Sequence, residues 1–373
     1  MSSGNDFGMG FDTGSRFEPS ASSSSIGELT RMLYDDTDMF FPGFAAHSNP
    51  LLSSTAGLQY FGSDRVASVD GNGGGASHTV KRRGSWDVDD DGEPAKLFQG
   101  WMEYDYAAFQ QYALAPEVFV AKLPPSLSTL EASSIPTAVV TAAVGFSHPG
   151  SAIPSITDAG QRLKSFFDGR GGAGVKPFWE DDAEGVKVGE PIVILGGSSS
   201  VGQLVIQIAK HLGYSPVITT SSLKHTDRLK SLGATHVLDR STPEASLVSD
   251  IQAIAHNKPI ELVYDAVGAI TQAQIDLLAP GGAFVLADPG ILGPKLDFND
   301  GRRLLVCGGV VHGFKEFGAS LFEKLESLLE RGVIKPLRVE KLPGGLSGIL
   351  DGLARLQRNE VSGVKLVVDP SET

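Results

Sequence analysis

The residues best suited to chemistry lie in one stretch, "IVILGGSSSVGQLVIQIAKHLG" (192–213), where a β-branched apolar strand meets a turn of glycines and serines and then an amphipathic helix. Three chemistries use such a turn. A P-loop shares the spacing of Gly197 and Gly202, but it needs Lys and then Ser or Thr to reach the β/γ-phosphates and Mg²⁺. Gln203 and Leu204 stand at those positions, which argues against NTP hydrolysis. A nucleophile elbow, GxSxG, has its nearest register in "SSSVG" (Ser198 to Gly202), where a serine replaces the first glycine, so serine hydrolysis is disfavoured. The third chemistry fits. Small residues at Gly196, Gly197 and Gly202 let the backbone approach a pyrophosphate, and a helix starting near Val201 points its amides and dipole at that charge.

The end of the next strand bears on which dinucleotide is held. NAD-binding turns place an acid there for the ribose 2′-hydroxyl. Here the strand ends "VITTSS", with Thr220, Ser221 and Ser222 and no acid, and Lys224 and Arg228 follow at i, i+4 spacing. Hydroxyls and cations suit a 2′-phosphate, so NADPH is expected rather than NADH. A solvated basic helix start is the plainer alternative. "DAVG" (Asp265 to Gly268) and "LADPG" (Leu286 to Gly290) fall at the carboxyl ends of two further strands, where ligands bind in open α/β sheets, although ordinary turns have similar composition. The single cysteine, Cys307 in "LLVCGGV", reads as a small buried apolar residue and not as a reactive thiol. Ser85 in "RRGS" fits a basophilic kinase, or simply a solvated linker.

The elements that must position these residues alternate regularly from 189 to about 310. Continuous apolar strands ("PIVILG", "SPVITTS", "THVLD", "IELVYDAV", "GAFVLAD", "RLLVCGGV") are separated by helical segments ("KHTDRLKSLG", "LVSDIQAIA", "TQAQIDLLA" among them). That pattern predicts an α/β fold with a doubly wound parallel sheet covered on both faces. Before it, 109–124 reads as strand material and "STLEASSIPTAVVTAAVGF" as a capped apolar helix. Residues 311–373 read as two helices and two strands. Residues 1–60 are Ser-, Gly- and Asp-rich and predicted mostly disordered, and 71–94 forms a second loop-like insertion.

The totals exclude several classes. The chain has 373 residues, 41% of them hydrophobic, and a formal charge of −13, which argues against a nucleic-acid partner. One cysteine permits no intrachain disulfide, thiolate zinc cluster or CxxC pair. The N-terminus lacks the basic and apolar regions of a secretory signal, and no apolar run is read as approaching the eighteen or so residues of a membrane span. A cytoplasmic location is the expectation.

Joined together, "AFQQYALAP", "KLPPSLSTLEASSIPTAVVTAAVGF", "VILGGSSSVGQLVIQIAKHLG", "LKSLGATHVLD", "LVYDAVG", "LLAPGGAFV" and "SGVKLVV" resemble the medium-chain dehydrogenase/reductases, in their zinc-independent quinone-oxidoreductase and fungal enoyl-reductase-like branch. The resemblance spans roughly residues 105 to 370. It implies a Rossmann-type cofactor domain (189–310) inserted in a GroES-like β domain. The latter would comprise a partly degenerate substrate portion (61–150) and a C-terminal return (311–373), with 151–188 a linker and lead-in to the cofactor domain. Carried over by position, Gly197, Ser199, Ser200, Val201 and Gly202 would meet the pyrophosphate. Ser221, Ser222, Lys224 and Arg228 would meet the 2′-phosphate, Thr141, Val267 and Gly268 the nicotinamide, and Lys365 the cofactor edge. The zinc-binding branch uses cysteine ligands that this chain lacks, so no metal is expected. Short-chain reductases are excluded because no tyrosine is followed by lysine four residues later.

The first half departs from the family pattern. Only "SDRVAS" (Ser63 to Ser68) matches its "GDRV"-like turn, and the preceding sixty residues do not read as a barrel wall. The leading expectation is an NADPH-dependent reductase delivering hydride to an enone, enoyl thioester or quinone. The competing one is a non-catalytic NADPH-binding protein or partner subunit. Partners are expected to be a small-molecule substrate, with neither nucleic acid nor membrane, and a monomer or homodimer. Tyr104, Tyr106 and Tyr112 lie near the substrate portion without singling out a proton donor.

Overall fold

Strands rich in Val, Ile and Leu on both faces are stable only where helices cover both faces, and the molecule is built on that requirement. The computed structural model describes residues 109–149, 171–268, 270–287, 296, 298–309, 311 and 314–372, and three short strands, β1 (Leu58–Tyr60), β2 (Val66–Ala67) and β3 (Lys96–Phe98). β2 pairs in parallel with β4 (Ala113–Leu114), and β3 pairs antiparallel with β5 (Val120–Lys122). The expected continuous strand material at 109–124 is instead two short strands, because Pro116 leads into a 3₁₀ turn at Glu117–Phe119. Ser85 and the 71–94 insertion lie outside the described residues.

α1 (Thr129–Ala132) begins with the capping box that its sequence implies. The Ser128 hydroxyl accepts from the Glu131 amide at 3.3 Å, and the Glu131 carboxylate accepts from the Ser128 amide at 3.1 Å. α2 (Pro136–Ser147) starts on a proline and is buried almost all round, including Val139, Val140, Ala143, Val144 and Phe146. Together Thr129–Ser147 are long and apolar enough to pass as a membrane span, which corrects the expectation that no run approaches that length. The apolarity reflects burial within the protein core, where an all-round hydrophobic helix belongs.

The central sheet comprises β6 (Ile192–Leu195), β7 (Val217–Ser221), β8 (His236–Asp239), β9 (Ile260–Asp265), β10 (Leu278–Leu286) and β11 (Arg303–Val306). Its order is β11-β10-β9-β6-β7-β8, and every neighbouring pair is parallel. This is the Rossmann-type doubly wound sheet. Its strands alternate between two cores, as a two-residue period requires. Ile192, Ile194, Tyr264, Val285 and Leu305 face one core, with α2, α3 (Ser200–Leu212) and α7 (Lys315–Glu330). Val193, Leu195, Val263, Phe284 and Leu304 face the other, with α5 (Glu244–Ile254) and the single turn α6 (Gln272–Ile275). α4 (Thr226–Leu232) leads into β8.

After α7 the chain forms β12 (Val339–Leu342), α8 (Ile349–Gln357) and β13 (Lys365–Val368). A second parallel sheet has the order β1-β13-β12, with Leu58 opposite Leu366 and Val339 opposite Lys365. β1 falls inside the segment read as mostly disordered, so a strand from the N-terminal half does join the C-terminal sheet. Its three residues, "LQY", are too short to show a period in sequence.

The segment that leads into β12 is clamped to the central sheet's helices. The Gln207 side chain on α3 accepts from the Lys335 amide at 2.7 Å and donates to the Lys335 carbonyl at 3.3 Å. The Leu337 amide donates to the Ser134 hydroxyl at 3.0 Å, and the Arg228 guanidinium to the Pro336 carbonyl at 3.0 Å.

Candidate functional site

The carboxyl ends of β6, β7 and β9 meet at the point where the strand order reverses, the position at which open α/β sheets bind ligands. Gly196 holds φ +79°, and a Cβ there would strike the Val267 side chain. A Cβ on Gly197 would strike Thr219 Oγ1, and one on Gly202 would meet the Gly196 carbonyl and the Gly197 Cα. The glycines therefore let the turn close upon its own neighbours. The Gly196 amide donates to Thr220 Oγ1 at 3.0 Å and the Gly197 amide to the Thr220 carbonyl at 2.9 Å. Thr220, one of the hydroxyls read as phosphate lining, is thus engaged within the turn.

Ser199 is the N-cap of α3. Its hydroxyl accepts from the Gly202 amide at 3.0 Å, and its own amide donates to the Gly196 carbonyl at 2.9 Å. Of the four amides that a helix start leaves without intrahelical partners, these bonds satisfy two. The Ser200 and Val201 amides remain as donors, at the positive end of a 13-residue helix whose sequence places no acid in its first turn. That is the chemistry a pyrophosphate requires. The amides of 200 and 201 are the donors that could hold an anion, while the Ser199 side chain holds the turn.

The "DAVG" turn is fixed by Asp265, which is fully buried and whose Oδ1 accepts from the Val267 amide at 2.8 Å and the Gly268 amide at 3.1 Å. The Ala266 amide donates to the Leu195 carbonyl at 3.0 Å, binding this turn to the glycine turn. Val267 is 42% exposed, an apolar wall beside the glycines. Thr141, on α2, is nearly buried and donates to the Thr137 carbonyl at 2.7 Å, while its own carbonyl accepts from the Tyr264 hydroxyl at 2.9 Å. A Cβ on Gly309, just beyond β11, would strike Thr141 Oγ1. Tyr264 also meets Cys307, Oη to Sγ 3.3 Å, and burial pushes that thiol up to about 12. The cysteine is thus a buried protonated packing residue.

At the end of β7 the predicted residues separate. The Ser221 hydroxyl is buried and donates to the Ser222 carbonyl at 3.2 Å, whereas Ser222 is half-buried and its side chain does not cap the turn that follows. Lys224 is exposed, in a 3₁₀ turn (Leu223–His225) and not in α4, so the helical i, i+4 relation to Arg228 is replaced by a break between them. The Arg228 guanidinium is held by the Pro336 carbonyl, and its Nε is buried without a hydrogen-bond partner. Burial, and secondarily Arg338, lower its pKa.

Two cations that the sequence reading missed stand here. Arg240 follows β8, its amide donating to the Ser221 carbonyl at 3.0 Å, and Arg338 precedes β12, its carbonyl accepting from the Lys365 amide at 2.8 Å. Both act electrostatically on His225, as does Lys224. Nothing in local spacing could have joined residues 224, 240 and 338, because pairing between three elements brings them together. Lys365 itself is fully buried at the head of β13, and burial pushes its ammonium down to about 7.

A family profile described as "Zinc-binding dehydrogenase" matches residues 200–328. A trans-enoyl reductase of Trichoderma harzianum is 27% identical over 286 residues, covering 71% of this chain and 71% of that protein. A 2-methylene-furan-3-one reductase of Solanum lycopersicum is 27% identical over 266 residues, 71% of this chain and 53% of that protein. Among solved structures, a mycobacterial protein complexed with NADPH superposes with a TM-score of 0.50 at 22% identity, covering 71% of this chain and 72% of that one, a likeness of fold.

Proposed function

Because the chain belongs to the medium-chain dehydrogenase/reductase family, we propose that it is an NADPH-dependent, metal-free oxidoreductase delivering hydride to an enone, an enoyl thioester or a quinone. The observation that carries this reading is the carboxyl edge of the central sheet. Two amides at the start of α3 await an anion, and Lys224, Arg240 and Arg338 gather beside the end of β7, which carries no acid of its own for a ribose 2′-hydroxyl, while the neighbouring Asp239 accepts from the Ser241 amide and hydroxyl. The names of the relatives support the acceptor class, since an enoyl group and a methylene-furanone each conjugate a carbon–carbon double bond with a carbonyl.

In this reading Ser200 and Val201 hold the pyrophosphate through their amides, with Gly197, Ser199 and Gly202 shaping the turn. Ser222, Lys224, Arg240 and Arg338 receive the 2′-phosphate. Val267 and Gly268, pinned by Asp265, flank the nicotinamide with Thr141, and Lys365 lies on the opposite sheet. The cofactor supplies the hydride when bound. The protein orients it and the acceptor and lends electrostatic support to the developing enolate. The reading assigns no metal: Cys307 is a buried neutral thiol hydrogen-bonded to Tyr264, and no group of His, Cys, Asp or Glu suited to a metal occurs among the described residues.

Affinities for NADPH and NADH, measured on the wild type and on Lys224→Ala, test the cofactor assignment. NADPH is expected to bind more tightly, and the substitution to weaken it by about tenfold or more while sparing NADH. Equal affinities in the wild type would overturn it.

A further inference from the structure

The carboxyl end of β7 holds a titratable group as well as fixed cations. His225 closes the 3₁₀ turn at Leu223–His225, and its Nε2 shares a 2.8 Å hydrogen bond with Ser362 Oγ, on the loop before β13. The ring lies so close to Gly363 that a Cβ there would meet Nδ1 at 2.8 Å. Gly363 is at φ +70°, so backbone and ring together fix this contact. The charges that act on the ring come from three elements: Lys224 on its own turn, Arg240 after β8 and Arg338 before β12. All are positive. Burial first and these cations second hold the imidazole below its ordinary range.

A neutral histidine among three cations is an arrangement whose sign a bound dianion reverses. We infer that His225 is a proton-accepting member of the anion site, becoming imidazolium when a phosphate monoester binds beside Lys224, Arg240 and Arg338. This rests on the NADPH reading of the same site. The proton comes from solvent, and no other bond is made or broken. Ser362 suits both states, since its hydroxyl donates to Nε2 of a neutral ring protonated at Nδ1 and accepts from Nε2 of the imidazolium. Binding of the 2′-phosphate is then coupled to proton uptake, and its advantage over the 2′-hydroxyl grows as pH falls from neutrality.

The experiment is calorimetry of adenosine 2′,5′-bisphosphate and of AMP with the full chain near neutral pH, in buffers of different ionisation enthalpy, for the wild type and His225→Gln. The phosphate's own second ionisation, near pH 6, contributes equally to both proteins and cancels in their difference. The wild type is expected to take up roughly 0.3–0.8 proton more than the variant on binding the bisphosphate, with AMP binding alike to both. Equal uptake in the two proteins overturns the inference and leaves NADPH selection standing. A bisphosphate that binds the wild type no more tightly than AMP overturns the NADPH reading itself and this inference with it. Should His225→Gln fail to fold, the proton resonances of His225 in the wild type decide. A titration midpoint raised by the bisphosphate supports the inference, and an unmoved one overturns it.

Discussion

Ser199 and Lys365 have structural roles that their types alone do not announce. Ser199 stands in the turn as the sequence suggests, but its hydroxyl caps α3. Ser199→Ala should therefore cost about 1 kcal/mol of stability, seen in denaturant melts, and leave NADPH affinity nearly unchanged. A hydroxyl bonded directly to phosphate would show the reverse. Lys365, pushed down to about 7, is neutral in the native protein above that pH, while the unfolded chain keeps it charged up to the ordinary lysine range. The unfolded state then binds more protons, so this residue makes stability rise as pH climbs from about 7 toward that range and adds no slope below it. Lys365→Met should flatten that limb of the stability profile, measured by melting across the pH series.

At the scale of elements, legibility followed period and punctuation. β6, α3 and β7 were readable because a long apolar run, an N-cap and Gly213 in the left-handed conformation mark their limits. The basic helix containing Lys224 was misread because "SSLKHTDRL" carries no residue that announces a 3₁₀ turn before α4. Arg240 and Arg338 were invisible as neighbours of His225, since they come to it through the β7–β8 pairing and through the clamp on 335–337. That clamp can be tested by itself. Gln207→Ala leaves the amide and carbonyl of Lys335 without their side-chain partner and should cost about 1–3 kcal/mol. The clamp's contribution to the phosphate site predicts that NADPH affinity falls with it, as calorimetry would show.

For the whole molecule, a chain with a formal charge of −13 places three of its cations, Lys224, Arg240 and Arg338, beside the strand end proposed for the cofactor. The parallel sheet was legible from alternation alone, and β12 and β13 were legible as strands of the tail, but the joining of β1 to them was not, because β1 has three residues and lies more than two hundred residues from its partner. Hydride transfer is the activity proposed for the assembled site. The measurement that tests it most directly is NADPH consumption by the full chain against a panel of enones, enoyl thioesters and quinones. Turnover of at least one acceptor class is expected, with NADPH favoured over NADH. Tight NADPH binding without oxidation by any member of the panel would contradict it and identify a protein that holds the cofactor without using it.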